Sequence, residues 1–560
     1  AAFAARIGKQ LQEASAAGGW EKPISVKSDL TLPSGLTPSH PMYNMFMNML
    51  GRQIGSRISH GRRFEHESVL SSFFQPSVTA GKVLEAFFPN VITLPPIVVK
   101  AALHGLRQQN ALLQSQLGQA MLSLCRAGPQ ARNEVMDWCA KALQLNAARD
   151  QTQPSRHAVA RDGFMVNLSA ALLFLCKPFL APNSDKIKLI DPTLVCTDKT
   201  TLSKAYPDDL TRLGPTDEAQ AALVRPKPTE EDYNFVTRCF FYALRAVHLG
   251  PISLARRITS LERRLSSIQR QVGAAALGPA APPSPERNEF SNILQQLYGT
   301  HCGAFEQEAS CNAILLYALY CRWLLHLAVT PQEDAANGNF DFTRQLDEIQ
   351  VPLPADPSPS VFVSASPEHV LDDANVLLKS LAYHTPEILD AANPQALSTV
   401  MIAAVSFMAS PNYVRSPHLR ASFAETLFAV FLPDENKAQE RLSKGNSAHQ
   451  ALRAQLFADS ALVCKWLAPG LLELYGDVEE TGYYEAVGHR HHIALLLKYI
   501  WQLPAHRPAF HHFASSTPQR FVKFANGILN QTNDGVADSL QRLREIRQTH
   551  VMRRDHASWA

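Results

Sequence analysis

A chain of 560 residues with 46% hydrophobic content can bury a large core, either as three or four domain-sized units or as one repeat array. Its formal net charge of +3 is close to neutral for that length, so composition gives no case for a nucleic-acid binder. Nine scattered cysteines with no CxxC exclude a regular disulfide framework and read as reduced thiols of an intracellular protein. No signal peptide and no transmembrane run stand out, so membrane insertion is not expected. Because the chain starts at Ala1 rather than methionine and ends just after a basic helical pattern, it is expected to be a fragment.

Residues 1–65 are expected to be a variable, partly disordered segment, with an irregular Pro/Ser/Gly stretch from Lys22 to Pro41 and a Met-rich apolar turn from Met42 to Leu50. Helical signals become regular from about Glu65. Phe73-Phe74, Phe87-Phe88 and Val98 to Cys125 predict a helix pair, and Val135, Trp138, Cys139, Leu143 and Leu145 repeat the helical period. From Asp162 to Pro182 the pattern is apolar on nearly every face, which predicts a core helix covered on several sides and stopped by Pro178, with Lys177 biased away from helical angles. A weaker region, Asp185 to Pro228, precedes a capping box at Thr229-Glu230-Glu231-Asp232. The helix that follows puts Val236, Phe240, Ala243 and Val247 on one face and Thr237, Arg238, Tyr242 and Arg245 on the other. It is expected to stop at Gly250-Pro251.

Ser253 to Val272 reads as a solvated outer helix, with Leu254, Ile258, Leu261, Leu265, Ile268 and Val272 inward and five arginines outward. Gly273 to Glu286 reads as a flexible loop, and helical patterning resumes from Glu289 to Val329. The polar, Pro-rich residues 331–365 are taken as a connection. Beyond it come a helix from Asp372 to Tyr383 and a helix opened by Ser416-Pro417, a capping serine followed by proline at the first position. Ile493, Leu496, Leu497 and Ile500 then mark another helix, and a last one runs through Leu540, Leu543 and Ile546. No stretch alternates as strands do. The fold class is therefore all-α, an elongated armadillo-like α-solenoid of irregular helix pairs.

Little in the pattern suggests chemistry by the chain itself. Cys176, Cys239 and Cys464 sit in apolar helical surroundings, whereas a thiol carrying a thioester needs an exposed, electropositive setting. His489, His491, His492, His506, His511 and His512 crowd one region, but adjacent pairs face different ways and no cysteine completes a metal set. No phosphate loop, dinucleotide fingerprint or serine elbow is present. The expected catalytic, cofactor-binding and metal residues are accordingly none, and no cofactor is implied.

Several segments, taken in order, do carry a resemblance. Gly163-Phe164-Met165 through Cys176-Lys177-Pro178-Phe179-Leu180, Trp138-Cys139-Ala140 through Asn146, and Asn234 through His248-Leu249-Gly250 are three of them. Ser416-Pro417-His418-Leu419-Arg420-Ala421, His491 to Gln502 and Phe521 to Asn526 are the others. Together they resemble the ubiquitin elongating factor core of U-box ubiquitin ligases of the E-four class. Ser416 departs from an expected asparagine, which is also a capping residue. Asp29-Leu30-Thr31-Leu32-Pro33-Ser34-Gly35 is superficially similar to a U-box loop, but the hydrophobic pattern a U-box needs does not follow it, and family U-boxes lie at the C-terminus.

The resemblance divides the chain into 66–330, the first half of the core, and 366–560, its second part, truncated before the U-box. It implies a ubiquitin-protein transferase that works with a ubiquitin-conjugating enzyme, held by the U-box, to extend chains on already ubiquitinated substrates for proteasomal and endoplasmic-reticulum-associated degradation. An AAA-type segregase and ubiquitin-receptor shuttle proteins are the further partners implied, for a monomer of cytoplasm and nucleus. A chain without the U-box would be inactive alone. A non-enzymatic helical adaptor for transport or assembly fits composition and periodicity equally well.

Overall fold

The computed structural model describes residues 58–151, 155, 157–181, 184–196, 211–214, 233–279, 281–331, 334, 339–354, 359–437, 447–478 and 483–554. The U-box-like loop at 29–35, the Met-rich turn at 42–50 and the capping box at 229–232 lie outside them. Among the described residues the secondary structure is helical, with one isolated antiparallel bridge between Arg212 and Pro367. The main helices are α1 (Gly61–Glu67), α2 (Pro96–Arg126), α3 (Pro129–Leu145), α4 (Asp162–Cys176), α5 (Phe235–Val247), α6 (Ser253–Val272), α7 (Pro285–Ala304) and α8 (Gln307–Val329). They continue as α9 (Glu368–His384), α10 (Pro394–Met408), α11 (Pro417–Phe431), α12 (Ser447–Asp459), α13 (Ala461–Asp477), α14 (Tyr483–Gln502), α15 (Arg507–Ser516) and α16 (Pro518–Arg554). This is an all-α, solenoid-like succession of packed helices.

The chain forms two compact units. One runs up to Leu346 and adds Pro354–Val400 and a short return segment ending at His449; the other comprises Asp347–Leu353, Met401–Glu440 and the chain from Gln450 onward.

In the first unit α4 is the hub, packed against α2, α5, α8 and the turn that follows α5. Thirteen of its residues are buried, Phe174 and Asp162 being the partial exceptions. Phe164, Phe74 and Trp138 form an aromatic cluster beneath it, with ring centroids 5.4 to 6.2 Å apart. Its one buried amide is satisfied: Asn167 Nδ2 donates to the carbonyls of Phe74 and Pro76 at 2.9 and 2.8 Å. The helix does end before Pro178, as expected. Lys177, however, keeps right-handed helical angles and opens a 3-10 turn, Lys177–Phe179, because proline at the second position of a new turn needs no donor.

α5 departs further from expectation. It is capped by Asn234, whose side chain accepts from the Thr237 amide at 2.9 Å. The face with Thr237, Arg238, Tyr242 and Arg245 is buried as well. Nor does Gly250-Pro251 stop the helix. His248–Ile252 form a π-turn that leads straight into α6, since a π-turn absorbs the proline's missing donor without breaking the axis. Gly250 is required there, because a Cβ would stand 2.9 Å from the Met165 carbonyl oxygen of α4.

α6 fits the expected outer helix. Leu254, Ile258, Leu261, Leu265 and Ile268 are buried while Arg256, Arg263, Arg264 and Arg270 are exposed, and α7 covers the apolar stripe. The helix pair expected between Phe73 and Cys125 is instead two short helices followed by the single 31-residue α2. α7 starts at Pro285, with Ser284 accepting from the Arg287 amide. Residues 162–179 and 307–329 are long and apolar enough to cross a membrane by composition, so the second is an apolar run that the sequence reading passed over. They are 72% and 78% buried within the folded chain, which makes each a core element of it.

In the second unit α11 packs on α14, and α13 is lined by α14, α15 and α16. Ser416 caps α11 by accepting from the Leu419 amide at 3.3 Å, and Phe423, Leu427 and Val430 are buried as expected. Ile493, Leu496 and Ile500 of α14 are buried too, while Leu497 is half-buried.

Candidate functional site

A thiol nucleophile would need a low pKa and an open setting. Among the described residues Cys125, Cys139, Cys176, Cys239, Cys302 and Cys321 are buried, and Cys311 and Cys464 are half-buried. Burial pushes Cys125 and Cys321 up to about 12 and Cys302 up to about 11, and holds Cys139, Cys176 and Cys239 well above the ordinary thiol value. Cys464 is less covered than its sequence context suggests. Its thiol is still raised, by partial burial and then by the charges of Asp347 and Asp459, as Cys311 is by partial burial and by Glu306 and Glu308. These thiols stay protonated near neutral pH.

The C-terminal histidines separate into different roles. His506 is fully buried and its Nε2 lies 2.8 Å from the Phe457 carbonyl; burial lowers its pKa. His489 Nδ1 is 2.8 Å from Glu425, His492 stacks near Phe428 at 4.4 Å, and His511 and His512 are exposed. The fold gathers His489 with Glu485 and His418 but does not bring all six histidines together.

The strongest electrostatic feature lies in the first unit and was not singled out from the sequence. After α3 the chain turns through Ala147–Asp150, which brings the Asp150 carboxylate beneath the π-turn. His248 Nε2 contacts Asp150 Oδ1 at 2.5 Å, and its Nδ1 contacts Asp373 Oδ2 of α9 at 2.7 Å. Arg245 reaches Asp150 at 2.9 Å, and Arg256 reaches Asp373 at 3.1 Å. His248 and Asp373 are buried. Burial opposes a charge on His248, yet the Asp373 charge and the hydrogen bonds to both carboxylates outweigh it, so its pKa is raised. Burial likewise works to raise the two carboxyls, but His248 with Arg245 holds Asp150 well below the usual range, and His248 with Arg256 holds Asp373 below it. His369, with its ring 4.4 Å from that of His248, is instead held neutral by burial and by the neighbouring cation, down to about 3.

A second ionic group stands beside this one. Arg149 donates to Asp162 at 2.7 Å and to the carbonyls of Leu249 and Ala160, and Arg257 meets Asp162 at 2.6 Å. Asp162 also lies in the first turn of α4, where a negative charge faces the positive end of the helix dipole. Both His248 nitrogens are engaged by carboxylates and the ring is buried. What the network can do is lock the segment after α3, the π-turn, α6 and α9 in one register. The sequence signal was present, since His248 belongs to a segment quoted for the resemblance, but its two carboxylates come from 98 and 125 residues away.

The chain matches the ubiquitin elongating factor core family over residues 70–560. Among curated proteins it is 27% identical to a probable ubiquitin conjugation factor E4 of Arabidopsis thaliana, covering 89% of this chain and 50% of that protein. It is 22% identical to ubiquitin conjugation factor E4 A of Bos taurus, covering 84% and 44%, and 21% identical to E4 ubiquitin-protein ligase UFD2 of Saccharomyces cerevisiae, covering 76% and 44%. The chain spans about half the length of the curated relatives it matches. With a match that runs from residue 70 to residue 560, the chain belongs to the ubiquitin elongating factor core family.

Proposed function

We propose that this protein serves as the scaffold of a ubiquitin-chain elongation factor, a ubiquitin-protein transferase by family. In this reading it holds already ubiquitinated substrates while a ubiquitin-conjugating enzyme adds further ubiquitin for proteasomal degradation. The observation that carries the reading is the family match over residues 70–560. Its relatives' names, ubiquitin conjugation factor E4 and E4 ubiquitin-protein ligase, point the same way. The raised pKa of the eight cysteines described above supports a scaffold that works through the conjugating enzyme's thioester rather than through a thioester of its own. Transfer then depends on positioning, which can supply several kcal/mol of a barrier and which in this class of ligase is the task of a U-box. The proposal extends to an AAA-type segregase and ubiquitin-receptor shuttle proteins as partners, to endoplasmic-reticulum-associated degradation as a pathway served, and to a monomer acting in cytoplasm and nucleus.

The test is a reconstituted reaction with activating enzyme, conjugating enzyme, ubiquitin and a monoubiquitinated substrate. A product carrying these residues together with a U-box should lengthen chains, and the 560-residue chain alone should add nothing above the conjugating enzyme's background. Lengthening by the 560-residue chain that disappears on substitution of one cysteine would overturn the scaffold reading in favour of a thiol-dependent ligase.

A further inference from the structure

Three helices of the first unit converge on a group that neither the family match nor the relatives' names assign. Glu262 lies midway along α6, His301 in the last turn of α7, and His384 closes α9. One ligand atom from each lies within 4.8 Å of the others. His384 Nδ1 is 3.8 Å from Glu262 Oε1, and the two imidazoles meet edge to face at 4.7 Å between centroids. We propose that Glu262, His301 and His384 form a site for a divalent transition-metal ion of the zinc class, bound to two imidazoles and one carboxylate with solvent in the fourth position.

The chemistry of the donors fits. Two nitrogens and one carboxylate oxygen with an open position are a common zinc set. Tetrahedral bonds of about 2.0–2.2 Å place ligand atoms roughly 3.4 Å apart, so donors now within 4.8 Å of one another must close by up to about 1.4 Å. The half-exposed Glu262 and the helix-terminal His384 can make that movement. Both histidines lie at helix C-termini, where the dipole favours positive charge. Arg107, which stands near His301, is held by Glu387 at 3.9 Å.

The other two candidate groups fit less well. In His248, His369 and Asp373 both His248 nitrogens already hold carboxylates and two arginines supply the positive charge. In His418, Glu485 and His489, the first two side chains are largely exposed and His489 pairs with Glu425. An ion at the three-helix site would join α6 and α7 to α9 and so fix residues 253–304 to residues 368–384.

The experiment strips the 560-residue chain with a chelator and titrates it with zinc chloride by calorimetry, with cobalt(II) as a spectroscopic substitute. One ion should bind per chain, and cobalt should give the intense visible bands of a four-coordinate site. Glu262→Gln, at a half-exposed position that does not threaten folding, should weaken zinc by at least the roughly 10–100-fold seen when even an outer-shell partner is lost. His301→Asn with His384→Asn should abolish binding, and His489→Asn should leave it unchanged. Zinc should raise the thermal midpoint of the wild type and leave that of the double variant where it is. Absence of saturable binding, or equal affinity in Glu262→Gln, overturns the proposal. Should the double variant misfold, Glu262→Gln decides alone.

Discussion

α4 and α16 are both helices punctuated by leucine and valine, yet the fold treats them in opposite ways. In α4 Leu168, Leu172, Leu173 and Leu175 are each no more than 2% exposed, and neighbours close over every side. In α16 the first turns are held by the second unit: Tyr475 meets Phe524 at 5.2 Å and Gln531 at 2.6 Å, Lys523 pairs with Asp477, and Arg520 with Glu473. Farther along, Leu529, Val536, Leu540, Leu543, Ile546 and Val551 stand 51% to 64% exposed. A leucine in one helix and a leucine in the other thus stand for different free energies. Apolar content becomes stability only where other chain removes it from water.

Removing a buried charge partner should give the largest effect. Asp373→Ala deprives His248 and Arg256 of a buried carboxylate, which by precedent for broken buried pairs costs about 3–5 kcal/mol. Chemical denaturation would measure it, and a change of a few tenths would mean the network does not hold the first unit together.

The comparison sharpens directly with Leu172→Ala, which leaves a cavity in α4 and should lower stability by about 2–5 kcal/mol. Its counterpart Leu540→Ala, at 51% exposure, should change stability by no more than about 0.5 kcal/mol. Equal shifts in the denaturation midpoint would erase the distinction between the two helices.

A subtler effect is expected from pH. Because the pKa of His248 is raised above its ordinary 6.5, the stability it contributes is complete below pH 6.5 and is lost as pH climbs through the folded value. The two lowered carboxyls contribute above their ordinary 3.8 and lose that contribution only in stronger acid. The advantage of wild type over His248→Gln should therefore be widest between about pH 4 and 6.5 and narrow at higher pH. Histidines buried in the neutral state act in the other direction. His301 and His369, each lowered to about 3, and His326, lowered to about 4, contribute fully above pH 6.5 and progressively less below it. Total stability should decline on acidification below pH 6.5 even though the His248 difference there stays at its widest, and thermal melts of the two proteins across this range would separate the trends.

Helix positions were largely legible in the sequence because caps and periodicity are local. Ser416-Pro417 marked the start of α11, and the arginine-flanked stripe of α6 identified its buried side correctly. Local rules failed where tertiary packing changed their meaning. Gly250-Pro251 is a stop signal in isolation, but against the α4 backbone it becomes a close contact inside a continuous helical run. Arg238 and Arg245 look like a solvent face until Asp137 and Asp150, from α3 and the turn after it, come to meet them.

The sequence by itself determined the helical class, the buried character of α4 and, through an ordered set of segments, the kinship to elongating factor cores. These rest on contacts within about one helical turn or on motifs read directly along the chain. Tertiary structure alone decided that His248 is caged between two carboxylates, that burial raises the pKa of the eight thiols described above, and that His301, His384 and Glu262 share one corner. Each depends on groups supplied from distant stretches, as with the 125 residues between His248 and Asp373, and on the low dielectric that burial creates around them. No local pattern encodes either quantity, because both burial and pairing are properties of the packed helices together.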